Sequence, residues 1–267
     1  MTWVIGACPP FGGYAVALSG VQVTLSDKAC VDALQKVYPV GPFLALGFSG
    51  SVRIGFQMVD SLRRFLAIPT DAPPGTAWIP SWVADNWYPE AAQIFADASA
   101  GERKLRSSLL LVGVHPTEDV IPTRARAFVI RMSDPFFRPG YSPKRLISVL
   151  SIGAGSRVPA YRRAAREVFS PRSGIMQSEV GTVGGWGRAI SHAVGYAIGW
   201  HPQPGISAHL LYSEITREGI RIQNNDRIEY PKDGPAVEFK MPPIALTYAE
   251  LVDLLGAQGH QAIDARC

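Results

Sequence analysis

Apolar and polar positions along the chain change period several times, and each change marks an element. Thr2-Trp3-Val4-Ile5-Gly6-Ala7 is apolar and β-branched, and Tyr14 to Leu18 reads as its returning strand. Pro9, Pro10, Gly12 and Gly13 between them predict a turn. Val21-Gln22-Val23-Thr24-Leu25 alternates with period two, and Ser26-Asp27-Lys28 is a turn. Lys36 to Val40 and Phe43 to Phe48 read as two more strands, separated by Gly41-Pro42. Ser49 then reads as a helix N-cap. Behind it Val52, Phe56, Val59, Leu62 and Leu66 recur at helical spacing and predict about four to five turns.

Residues 67–81 hold five prolines or glycines and read as a loop. Trp82 to Ala100 predicts a second helix, with Pro89 near its start or breaking it in two. Leu109 to His115, Ala125 to Met132 and Ile147 to Gly153 read as strands. Val158 to Phe169 and Trp186 to Ile198 read as helices, and Ala208 to Ile215 with Gly219 to Gln223 as a hairpin. A Pro-rich connector and a short helix, Tyr248 to Leu255, follow. Runs of strands alternating with runs of helices point to α+β, with two antiparallel sheets and helices outside them, and not to a parallel α/β sheet.

Composition narrows the partners. The chain has 267 residues, 47% apolar and 18% charged, which fits one sizeable globular domain or at most two small ones. A net charge of +4 with arginines scattered in ones and twos gives no basic stripe, so no nucleic-acid partner is expected. Cys8, Cys30 and Cys267 are an odd, sparse set, which points away from a disulfide framework and towards a reducing, cytoplasmic setting. The apolar opening carries no basic residue before Lys28, unlike a secretory signal, and no apolar run is long enough to span a bilayer. Cys and His spacing gives no zinc motif, and Gly184-Gly185-Trp186-Gly187 lacks the Lys-Ser/Thr of a phosphate loop.

Thr2 is the first chemical candidate. Methionine ahead of a small residue is normally trimmed, which would leave a hydroxyl and a free α-amine on one residue. An α-amine has a pKa near 8, so it can take the hydroxyl proton as the oxygen attacks a carbonyl. Against this, Thr is a common second residue.

The series of the Thr2 strand, the hairpin, Val21-Gln22-Val23-Thr24, Gln35-Lys36-Val37 and Gly47-Phe48-Ser49-Gly50-Ser51 before a helix resembles the proteasome β-subunit family, including the bacterial two-ring proteases. The resemblance covers residues 2 to about 66 and extends loosely to about 223 through Ser151-Ile152-Gly153-Ala154-Gly155. On this reading 1–223 is the domain, 67–106 an insertion and 224–267 a C-terminal extension. The resemblance implies a four-layer αββα sandwich of the N-terminal-nucleophile hydrolase type. It implies a ring of identical subunits that acts on peptides or unfolded chains, with no metal or organic cofactor and with any unfoldase partner unidentified.

Carried over by residue, Thr2 is the nucleophile. Lys36 is the lysine whose ammonium lowers the proton affinity of its neighbours. Gly50 offers a backbone N–H to the oxyanion, with Gly47 as the alternative and a plain turn glycine as the other reading. Phe48 falls where a residue floors the specificity pocket, although a plain core Phe fits equally. Several supporting positions depart. The family Asp aligns with Gly20, beside Ser19, and the Ser of the family Gly-Ser-Gly aligns with Ala154, two residues before Ser156. The later Asp and Ser align near His201 and Pro204. Asp32, four residues before Lys36, is the candidate substitute for the missing carboxylate. His201 and His209 read as structural, Cys8 as a lone, partly buried thiol in the turn near the N-terminus, reactive or, as is commoner, inert, and Arg162, Arg163 and Arg166 as a solvated helix face or a subunit contact. Two alternatives stand beside the peptidase: a silent scaffold subunit of the same fold, and a small-molecule amidase of the same nucleophile class.

Overall fold

Alternation along the first strand sets the architecture. In β1 (Trp3–Cys8), Trp3, Ile5 and Ala7 enter one apolar cluster while Val4 and Cys8 enter another, so the strand is covered on both faces. The computed structural model describes residues 2–8, 14–67, 80–115, 127–139, 148–170, 172–177, 185–229 and 235–260. Met1, the predicted turn at 9–13, most of the loop at 67–81, Gly184 and Cys267 lie outside the described residues.

β1 pairs antiparallel with β2 (Ala15–Gly20) and β9 (Ser148–Gly153), and β2 pairs with β10 (Leu210–Thr216), which pairs with β11 (Gly219–Asn224). This gives a five-stranded sheet in the order β11-β10-β2-β1-β9. A second antiparallel sheet runs β5 (Val37–Gly41), β6 (Leu44–Gly50), β7 (Ser107–Val114), β8 (Ala127–Ser133). Two short ribbons are added: β3 (Gln22–Thr24) with β4 (Cys30–Asp32), and β12 (Arg227–Glu229) with β13 (Val237–Phe239). The helices are α1 (Val52–Phe65), α2 (Pro80–Asp97), α3 (Ala100–Lys104), α4 (Pro159–Val168), α5 (Gly174–Gln177), α6 (Gly185–Trp200) and α7 (Tyr248–Ala257). The chain is α+β with antiparallel sheets.

Three apolar clusters hold these elements together. One joins β5, β6 and β7 to α1, α2 and α7. A second joins β1, β2 and β10 to α4 and α6. The third gathers Val4, Ala17 and Ile215 from one sheet with Val37, Ala45, Leu110 and Val129 from the other. Space is tight there: a Cβ on Gly6 would lie 2.7 Å from Val112 Cγ2, and one on Gly47 2.9 Å from Val4 Cγ1.

The helix N-cap is Ser51, not Ser49. Ser51 Oγ accepts the Ile54 amide at 3.3 Å, while Ser49 is still in β6 opposite Ser108. The strand continues to Gly50, whose φ of +107° turns the chain into α1. Pro89 sits inside α2, because that helix starts earlier, at Pro80, and ends at Asp97. α3 is separate, with a capping box from Ser99 and Glu102. β4, β12 and β13 go unpredicted, since three residues carry too little periodicity. The C-terminal segment is woven into the fold: Leu34 bridges Ala245, and Leu251 and Leu255 are buried in the α1 cluster.

The packing of α1 on β6 yields a stability test. A Cβ on Gly55 would lie 2.3 Å from the Phe48 ring, whereas one on Gly195 in α6 meets nothing closer than 3.9 Å. Gly55→Ala should destabilise by about 1–3 kcal/mol, and Gly195→Ala should stabilise by about 0.5–1 kcal/mol. Urea unfolding of both variants checks the contrast.

Candidate active site

Thr2 enters β1 already oriented. Trp3 stacks on Tyr161 with ring centroids 4.8 Å apart. A side chain on Gly155 would strike Trp3, since its Cβ would lie 2.4 Å away. With Trp3 fixed towards the helices, strand alternation sends Thr2 and Val4 to the other face, between the sheets. The Thr2 carbonyl accepts the Gly155 amide at 3.1 Å. Gly153, at φ +82°, lies so close that its Cβ would be 2.4 Å from the Thr2 carbonyl oxygen. The Gly153-Ala154-Gly155 turn therefore cradles the Thr2 backbone.

Lys36 arrives from the other sheet. Its Nζ donates to Thr2 Oγ1 at 2.5 Å and to the Gln22 carbonyl. Lys36 is 0% exposed and Thr2 1%. The segment that carries Lys36 is held throughout. Ala33 and Leu34 amides donate to the Val21 carbonyl, the Gln35 amide to the Ala245 carbonyl, and the Tyr38 hydroxyl to the Gln35 carbonyl at 2.7 Å. Because Lys36 donates to Oγ1, the Thr2 hydroxyl keeps its own proton for a base to remove.

Gly50 lies further along β6. The Phe48 amide donates to the Lys36 carbonyl, and Gly50 is two residues on, about 7 Å by strand rise. Its conformation is forced, since a Cβ there would be 2.1 Å from the Arg106 carbonyl oxygen. Arg106 is tied to the buried Asp134 carboxylate at 2.9 Å, which also accepts the Ser107 amide at 2.5 Å. Phe48 points the opposite way, into the helix-side core. It is 0% exposed, stacks on Tyr38 and meets Phe56 edge-on. The structure thus places Phe48 in the core and not with Thr2.

A Cβ on Gly20 would touch Ser207 backbone at 3.5 Å, ordinary contact. Ser19 Oγ is buried with no hydrogen-bond partner among the described residues. Ser156 Oγ turns back onto the Gly153 carbonyl at 2.6 Å, and the His201 carbonyl accepts the Tyr161 hydroxyl. Asp32 engages Ser207 Oγ at 2.7 Å and His209 Nδ1 at 2.6 Å. Among the described residues no group of three or more His, Cys, Asp or Glu could hold a metal ion, and no helix is long and apolar enough to cross a membrane. Reading residue types missed two participants, the Gln22 carbonyl and Ser207. A backbone carbonyl has no residue signature, and Ser207 is far from its partner in sequence.

No protein-family model matches the chain, and no curated protein matches it.

Cys8 lies on the Thr2 face of β1 and is buried between the sheets. Burial pushes its thiol up to about 12 from 9.0. The folded state therefore holds the thiol protonated at pH values where the unfolded chain ionises. Its contribution to stability is intact below pH 9 and is lost as pH rises from about 9 towards about 12. Unfolding free energies measured from pH 8 to pH 11 should fall more steeply in the wild type than in Cys8→Ala. Iodoacetamide on the folded protein should label exposed Cys30 and spare Cys8.

Proposed function

We propose that this chain is a threonine-type N-terminal-nucleophile hydrolase of the proteasome-like kind, with a four-layer αββα sandwich. The observation that carries the reading is the 2.5 Å contact of Lys36 Nζ with Thr2 Oγ1, buried at the head of the first strand. The three apolar clusters, helix on sheet, sheet on sheet and sheet on helix, support the layered architecture.

The chemistry needs the chain ahead of Thr2 removed, so that the α-amine is free. Thr2 Oγ then attacks the carbonyl carbon of an amide, and its proton passes to the α-amine. The carbonyl oxygen becomes an oxyanion, which the Gly50 amide stabilises. The C–N bond breaks, and the α-amine returns the proton to the leaving amine. Water attacks the resulting ester on Thr2 Oγ, and the carboxylic acid leaves. Lys36 holds Oγ1 in place and tunes it. A cytoplasmic ring of identical subunits acting on peptides or unfolded chains belongs to the same reading. The exposed Tyr196 and Trp200 on α6 support a subunit contact.

A silent scaffold subunit is the second reading, and Gly20 and Ala154, which offer neither carboxylate nor hydroxyl, favour it.

Intact mass before and after excess β-lactone separates the two. Loss of Met1 and one adduct on Thr2 is expected, absent in Thr2→Ala and slowed by at least about 100-fold in Lys36→Met. Retained Met1, or a free Thr2 that takes no adduct, sinks the hydrolase. Casein cleavage then distinguishes a peptidase from an amidase of small molecules.

A further inference from the structure

Two facts meet at Gln22. Its carbonyl accepts Lys36 Nζ, and it is the register partner of Asp32 in the β3–β4 ribbon. Asp32 is also the residue before the Ala33–Lys36 segment. One oxygen of its carboxylate, Oδ2, takes both the Ser207 hydroxyl and His209 Nδ1, at 2.7 and 2.6 Å. The second oxygen, Oδ1, is buried with no hydrogen-bond partner among the described residues. The loop that brings these groups is itself fixed. The His209 amide donates to Ser207 Oγ at 2.9 Å, and the His209 carbonyl accepts the Val21 amide at 3.3 Å. The His209 ring lies flat on Phe239, centroids 4.3 Å apart, and the Arg227 guanidinium covers the same Phe239 at 3.9 Å.

Ser207, His209 and Asp32 do not form a hydrolytic triad. In a triad the imidazole receives the serine proton and the carboxylate steadies the far nitrogen. Here the serine hydroxyl donates to the carboxylate and the imidazole meets the same oxygen, so His209 does not activate Ser207.

We propose that Asp32 and His209, with Ser207, are positioning residues that set Lys36 against Thr2. The carboxylate clamps the start of the lysine segment and the ribbon whose carbonyl receives Nζ. The imidazole, stacked on Phe239, anchors that carboxylate to the loop before β10. The clamp deepens the nucleophile reading and rests on it for its effect on rate. Its effect on Lys36 itself stands without that reading.

The test compares the full chain with Asp32→Asn, Asp32→Ala, His209→Ala and the Asp32→Ala/His209→Ala double variant. Two readouts are taken: the rate of β-lactone labelling at Thr2, and the carbon-13 signal of Lys36 Cε, assigned through Lys36→Arg. Labelling should fall by about 10–100-fold in Asp32→Ala and His209→Ala, and less in Asp32→Asn, which keeps the shape and one acceptor. The double variant should be no slower than the slower single one, since both act through one clamp. The Lys36 signal should move in each variant, with the far-UV spectrum unchanged. Should Asp32→Ala fail to fold, Asp32→Asn and His209→Ala decide. If the wild type is labelled and these variants label equally fast with Lys36 unmoved, the clamp is overturned and the hydrolase stands. If the wild type takes no label, the hydrolase falls, and the Lys36 signal alone decides the clamp: moved supports it, unmoved overturns it.

Discussion

A lysine nitrogen buried between two sheets must find acceptors, because leaving such a group without hydrogen bonds in an apolar interior is costly. Lys36 Nζ finds them in Thr2 Oγ1 and the Gln22 carbonyl. That requirement ties three separate pieces of chain to one point: the head of β1, the start of β3 and the approach to β5. The surrounding structure supplies the rigidity. Val21 and Ala245 carbonyls hold the lysine segment, and the Gly153–Gly155 turn holds the Thr2 backbone. A long side chain that crosses between sheets is only as well placed as its two ends.

Packing outside the site then becomes chemistry inside it. Trp3 and Tyr161 stack over Gly155, on the helix side of β1. Their contact decides which face Trp3 takes and therefore which face Thr2 takes. Phe48 and Gly55 do the same for β6: the ring occupies the space a Cβ would need, so the strand presents Gly47 to the sheet interface and continues to Gly50. Glycines at Gly6 and Gly47 let the sheets approach closely enough for a lysine to span the gap.

The C-terminal segment is a structural participant as well. Ala245 bridges Leu34 and its carbonyl holds Gln35, one residue from the lysine. Phe239 in β13 supports His209, which grips Asp32. What reads in sequence as an addition after the closing hairpin braces the lysine segment from outside.

The sequence by itself determined the order of the longer elements and the α+β class, because hydrophobic period and turn residues are local properties; the three-residue strands β4, β12 and β13 carry too little of either. It also pointed to Thr2, as the small residue after Met1, and, through the resemblance to the proteasome β-subunit family, to Lys36. Tertiary structure alone decided that these two touch, 34 residues apart, and that Asp32 meets His209 across 177. It decided that the Gln22 acceptor is a main-chain oxygen, which any residue type supplies. It moved the α1 cap from Ser49 to Ser51 and put Phe48 into the core. Those outcomes depend on strand register, and a shift of one residue exchanges the two faces of a strand. Register is set by the partner strands and the packing on them, which local periodicity does not encode.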